Sequence, residues 1–305
     1  LRERVRKEKE AEEARRAEAH RQAAEKAVRI FQPLPPAGAD NAYLKCKGVE
    51  PRGDMRQAQD GRLVLPVLNA GGNVVSLQYI DGEGGKRFLK DGEKKAGFFP
   101  IPAKDGGKAG PLLIGEGAAT VLSCCMATGY AGLAAFDCGN LEAVGAVARG
   151  LYPEREILFC ADNDGTDGEG NPLPEERNAG LVAARKAAQA VGGKLALCPS
   201  LHGRKADFND LFTASEDGPE RVRVAIEKAR EGVGCVRLPA GYFYDRKDGS
   251  LMYEKHDAKG EPLGTFKVCA HVEVIGRTFG AGKWGVLLEW KDRRGDLRRL
   301  SLPSR

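Results

Sequence analysis

The chain has 305 residues, 42% hydrophobic and 30% charged, with a formal net charge of +5. That length allows two or three domains, each with its own core. The start is charged rather than signal-like, and no apolar run approaches the span of a membrane. The eight cysteines, at positions 46, 124, 125, 138, 160, 198, 235 and 269, contain no CxxC pair. Most sit inside apolar runs, which reads as inert core thiols in a reducing cytoplasm, not as a disulfide scaffold or a zinc ribbon. A charge this mild is by itself weak support for a nucleic-acid partner. The first residue is Leu1 rather than methionine, as expected of a fragment of something longer.

Residues 1–38 open with Arg, Glu, Lys and Ala and read as a charged helix with Glu/Arg pairs at helical spacing. Its apolar stripe is thin, so it serves as a solvated linker, bridges domains or fits a partner. Pro33, Pro35, Pro36 and Gly38 end it. Residues 39–110 read as an antiparallel meander, with strands at 62–68, 73–80 and 86–89 between Gly-rich turns. Lysines and arginines are spread through it, with Tyr79, Phe88, Phe98 and Phe99 between them.

Over residues 111–234 the pattern alternates. Strands are expected at 111–115, 131–136, 156–161 and 194–198, and helices at 118–128, 140–150, 178–191 and 219–231. That order predicts an α/β domain with a short parallel sheet flanked by helices. A polar loop at 165–176 should border its functional edge. Residues 235–305 read as a small β-rich domain, with strands near 242–244, 251–253, 271–275 and 284–290. No internal repeat is evident.

The informative residues lie where two aliphatic strands run out. Leu112-Leu113-Ile114-Gly115 is followed by Glu116 and Gly117, and Ile157-Leu158-Phe159-Cys160-Ala161 by Asp162-Asn163-Asp164. Each acid alone fits a helix start or a turn. Together, at the carboxyl edge of one parallel sheet, they describe a site for magnesium or manganese and phosphoryl-transfer chemistry. An EF-hand loop starting at Asp162 fails, because Asp167 occupies the place that needs glycine. Asp207 and Asp210 are either a helix cap or further ligands. The four histidines have no zinc spacing.

These motifs resemble the Toprim domain shared by bacterial primases, topoisomerases and certain nucleases, with Glu116 as the strand-end glutamate and Asp162/Asp164 as the Asp-x-Asp. The region from Tyr43 to Leu89 is similar to the basic subdomain of DnaG-type and plasmid TraC-type primases. Gly115-Glu116-Gly117-Ala118-Ala119-Thr120, Ala135-Phe136-Asp137-Cys138-Gly139-Asn140-Leu141 and Asp207-Phe208-Asn209-Asp210-Leu211 resemble the TraC-like branch in particular. Residues 235–305 resemble the opening of a domain that precedes a helicase-type ATPase, although Gly280-Ala281-Gly282-Lys283-Trp284 is no phosphate-binding loop.

The resemblance implies a primase core that makes short RNA primers on single-stranded DNA from nucleoside triphosphates. Mg2+ or Mn2+ would be held by Glu116, Asp162 and Asp164, with Asp207 or Asp210, and Glu116 is either ligand or general base. Lys47, Arg52, Arg62, Gln78, Lys86, Arg87 and Lys94 are the expected nucleotide and template contacts. A helicase-type ATPase is expected in the parent chain or as a partner. The rival readings are a Toprim nuclease and a non-catalytic template-binding and helicase-docking module. The primase and nuclease readings require Glu116, Asp162 and Asp164 to meet at one rim.

Overall fold

The computed structural model describes residues 2–104, 106, 110–165, 177–199 and 205–231, and the strands at 242–244, 251–256, 262–269, 272–280, 283–291 and 297–303. The expected polar loop, beyond Gly165, falls outside the described residues, as do Ala281 and Gly282. The chain divides into two compact units, Leu1–Glu227 and Lys228–Arg305. The border expected at 110 therefore falls within one unit.

Helix α1 (Arg2–Phe31) changes character along its length. Its first half is exposed and carries ion pairs one turn apart, including Arg4–Glu8, Arg6–Glu10 and Lys9–Glu13. Its second half buries Ala23, Ala27 and Phe31, the last two against Val64 and Leu77. A solvated linker thus describes only the first half. The rest is the outer layer of the meander, because small and aromatic residues one turn apart make a narrow apolar seam.

A short helix, α2 (Ala42–Cys46), stands where only strands and turns were expected. Asn41 accounts for it: its side-chain oxygen accepts from the amides of Tyr43 and Leu44 at 3.2 and 3.4 Å. The meander follows as β1 (Arg56–Gln57), β2 (Leu63–Leu68), β3 (Val74–Ile80) and β4 (Lys86–Phe88), in that spatial order and antiparallel throughout. Strand β2 is buried on both faces, which explains its uninterrupted aliphatic run.

The second sheet has the order β5-β7-β6-β8-β9, comprising β5 (Phe99–Ile101), β6 (Leu112–Gly115), β7 (Ala131–Ala134), β8 (Ile157–Ala161) and β9 (Lys194–Leu197). Strands β6 to β9 are parallel. The unanticipated β5 pairs antiparallel with β7 along one edge. Three residues of Phe-Pro-Ile carry no alternation from which a strand could be read. Helix α3 (Ala118–Thr128) covers one face, and its Val121 fits between Gly115 and Gly132. A β-carbon at either glycine would lie 2.8 or 2.5 Å from that valine. Helices α4 (Leu141–Leu151) and α5 (Ala179–Val191) cover the other face over Ile114, Leu133, Ile157 and Phe159. Two further helices, α6 (Phe208–Thr213) and α7 (Gly218–Glu231), complete this unit.

Two buried asparagines join the sheets. Asn140 donates to the carbonyls of Gly97 and Ala135 at 2.9 and 3.0 Å and accepts from the Ala96 amide at 2.8 Å. That last bond holds Ala96 at a φ of 60°. Asn209 donates to the Lys47 carbonyl at 2.7 Å and to Ser123 Oγ at 3.0 Å. In the other unit, β10 (Tyr242–Tyr244), β11 (Leu251–His256) and β12 (Pro262–Cys269) form one antiparallel sheet. Strands β13 (Val272–Gly280), β14 (Lys283–Lys291) and β15 (Leu297–Pro303) form another. Among the described residues no helix is long and apolar enough to cross a membrane.

Asn140→Ala should cost about 1–3 kcal/mol, because it strands buried backbone groups on both sides of the joint. Urea unfolding with an unchanged m-value measures it.

Candidate active site

Strands β7, β6 and β8 lie side by side and run in one direction, so their carboxyl ends open on a common rim. Asp137 follows β7, Glu116 follows β6, and Asp162 and Asp164 follow β8. Gly117 begins α3 without a side-chain cap. The three acids named from the sequence therefore share one edge. Asp137, quoted there only within a longer motif, joins them.

The Asp162–Asp164 segment is fixed from behind. Asn163 and Ala206 exchange backbone hydrogen bonds at 2.8 and 3.1 Å, and the Asn163 side chain donates to the Cys198 carbonyl at 3.0 Å. This bridge sets Asp207 beside the rim. Asp207 and Asp210 form a reciprocal cap on α6: each side chain accepts the other's amide, at 2.7 and 3.0 Å. Asp207 also accepts from Thr120 Oγ1 at 3.4 Å. The cap and the site are thus one structure for Asp207, whereas Asp210 is exposed and turned to its helix.

Burial pushes the Asp162 carboxyl up to about 8, and the charges of Asp207, Glu116 and Asp164 add to the push while Lys86 opposes it. Glu116 is raised as well, mainly by burial; Lys86 opposes this, and Asp137 and Asp164 add to it. The acids therefore feel one another across the rim. Oδ1 of Asp162 is buried with no hydrogen-bond partner. Behind the rim, Cys124 and Cys125 are raised by burial, as is Cys198, so these thiols stay protonated and inert.

The meander supplies the positive side. Lys86 Nζ lies 3.8 Å from the point a β-carbon on Gly117 would occupy, which puts the ammonium over the start of α3 next to Glu116. Lys94 pairs with Asp137 and sits 5.4 Å from the centre of the Phe88 ring. Phe88 in turn meets Phe136 edge-on at 5.6 Å. Lys205 lies 3.6 Å from Asp164.

Of the other expected contacts, Arg52, Arg62 and Arg87 have their guanidinium groups engaged or directed away from the rim. Arg52 donates to the Cys125 carbonyl at 3.1 Å, near the end of α3 remote from Glu116. Lys47 meets Asn209 through its carbonyl. Gln78 is buried. Arg62 stacks on Tyr79 at 4.8 Å and pairs with Asp60 at 2.7 Å. Arg87, opposite Tyr79 in register, projects from the other face of β4 to Lys86. Asp137 and Lys205 were not nominated because neither a lone acid in a Gly-rich turn nor one lysine carries a pattern.

Among the described residues, no three His, Cys, Asp or Glu side chains are already drawn together as a metal cage. The donor chemistry still fits a hard divalent cation. The rim is built of carboxylate oxygens, one of them orphaned, and their mutual repulsion is what a cation would relieve.

A carboxyl with a raised folded pKa favours folding while protonated and opposes it as the pH climbs from the ordinary aspartate value towards 8. In chelator, Asp162→Asn should match the unsubstituted chain in stability near pH 4. It should exceed it by up to a few kcal/mol at pH 8. Thermal melts across that range check it, and a difference independent of pH contradicts the buried, unpartnered carboxylate.

Comparison with known proteins agrees with this architecture. A family model for the Toprim domain matches residues 111–217. A DNA primase TraC of Escherichia coli is 36% identical over 169 residues, covering 55% of this chain and 11% of the relative. A second DNA primase TraC of Escherichia coli is 34% identical over 177 residues, covering 57% and 16%. The chain thus spans only a small part of these relatives. Among solved structures, the primase fragment of the bacteriophage T7 primase-helicase aligns with a TM-score of 0.40 and 17% identity, over 60% of this chain and 74% of that one. The Aquifex aeolicus primase, with its zinc-binding and RNA polymerase domains, aligns at 0.44 and 13%, over 70% and 62%. By sequence, residues 111–217 match the Toprim domain, and over 55–57% of its length the chain is similar to the TraC DNA primases of Escherichia coli.

Proposed function

We propose that this chain is the catalytic core of a DNA primase, joining ribonucleotides into short primers on single-stranded DNA by metal-dependent nucleotidyl transfer. The observation that carries the reading is Asp162, whose Oδ1 is buried and unpartnered among like charges, with Lys86 reaching over the same rim. Glu116, Asp162 and Asp164, with Asp207 beside them, are the residues that would hold magnesium or manganese. When bound, the cation supplies charge neutralisation at the triphosphate and a lowered pKa at the attacking hydroxyl.

The chain's own groups do the rest. Lys86 faces the triphosphate and stabilises the negative charge that grows on pyrophosphate as it leaves. The primer 3′-oxygen bonds to the α-phosphorus, the bond to the bridging oxygen breaks, and the hydroxyl proton passes to Glu116 or to solvent. Where Glu116 serves as base instead of ligand, burial gives it a raised affinity for that proton. The template is held by phosphate contacts from the basic sheet, so its affinity should fall steeply with salt. A helicase-type ATPase, in the parent chain or as a partner, and a cytoplasmic setting belong to the same proposal.

Incubation with single-stranded DNA, ribonucleotides and magnesium tests the reading. Extension products are expected; shortened DNA would mean a nuclease, and neither product a binding module. Asp162→Asn should lower synthesis at least about a hundredfold while the chain stays folded, given the charge stabilisation lost at the reacting phosphate. Substantial synthesis by that folded variant would refute the site. Lys86→Ala should raise the KM for nucleoside triphosphate about tenfold, the loss of one charge-assisted contact. Steady-state kinetics at fixed template checks it.

A further inference from the structure

A cleft of about 400 Å³ lies next to the rim, between α1 and the turn that follows β4. Arg16 and His20 of α1 form one wall, Lys94 and Lys95 the other, and Asp137 of the rim its inner end. Of the nearby anions, Asp137 is paired with Lys94, and Glu93 lies 4.0 Å from His20, which pairs with it only when the imidazole is protonated. Arg16 and Lys95 are exposed and have no anionic partner among the described residues. Elsewhere on α1, Lys9 and Arg21 are paired with glutamates. No Phe, Tyr or Trp lines the cleft, so nothing there is built to stack a base.

We infer that this cleft holds the phosphodiester backbone of a single nucleic-acid strand as it passes the acidic rim, with Arg16 and Lys95 contacting phosphates. Helix α1 is then part of the template surface. The inference rests on the nucleotidyl-transfer reading of the rim. Free cations beside a groove, without an aromatic platform, recognise phosphate irrespective of sequence.

The test is binding of a labelled single-stranded oligonucleotide by the full chain in magnesium over a salt series, followed by fluorescence anisotropy. The Arg16→Ala/Lys95→Ala double variant should bind roughly tenfold more weakly at low salt, with a salt slope shallower by about 1 to 2. Arg16→Lys/Lys95→Arg should restore both. Lys9→Ala, on the exposed half of the helix, should leave the affinity within about twofold, as a charge distant from the strand contributes little through salt.

Unchanged strand affinity in the folded double variant overturns the inference. So does an equal loss of affinity for inorganic triphosphate, which would make the cleft a polyphosphate pocket. Unchanged affinity in a chain that still makes primers sinks the cleft and leaves the rim standing. Lost affinity in the double variant, where the unsubstituted chain itself makes no primers, sinks the rim and leaves the cleft.

Discussion

The constraint on which this molecule turns is a carboxyl group with one oxygen shut off from water and from any donor, among like charges. Asp162 ends a strand buried along its whole length, and its Oδ1 finds no donor. Moving such a charge out of water costs several kcal/mol unless something compensates. Glu116, Asp164 and Asp207 make the cost worse, and Lys86 offsets only part of it. A fold selected only for stability would place an apolar residue or a donor here. A bound cation, as in the function proposed above, would relieve that cost.

That preparation depends on two sheets meeting in a fixed way. Lys86 and Phe88 share one face of the meander, and both look towards the α/β sheet: one to Gly117, the other to Phe136. The joint is held by Asn140, whose amide satisfies carbonyls from both sides, and by Asn209, which donates to the Lys47 carbonyl and the Ser123 hydroxyl. Buried hydrogen bonds of this kind demand defined geometry, so they fix the position of the lysine as well as the stability of the contact. Phe136, at a φ of 72°, is one of the few non-glycine residues in the left-handed region, and it sits between the strand end and Asp137. Backbone strain beside a charged edge is a common companion of binding sites.

Much of this was legible in the sequence. Parallel strands carry long aliphatic runs because both their faces are covered, and a run that ends in an acid marks the solvent edge. Glu116, Asp162 and Asp164 could therefore be named, and α3 was expected at the residues it occupies. Asp207 and Asp210 were also singled out, with the cap and the site left as alternatives. The meander was legible through its Gly-rich turns.

Tertiary structure alone decided the rest, because it depends on which surfaces meet. Short-range pattern does not say that β5 leaves the basic region to pair with β7, or that α1 lies down on β3 halfway along its length. Nor does it separate Lys86, which faces the acids, from Arg87, which looks away: adjacent residues on a strand carry the same charge and opposite directions. Arg52 reads from sequence like any basic turn residue, yet its guanidinium is taken by a helix carbonyl. Composition and periodicity determined which residues are charged and which strands are buried. Long-range packing determined which of those charges confront one another, since Coulomb energy depends on distance in space and not along the chain.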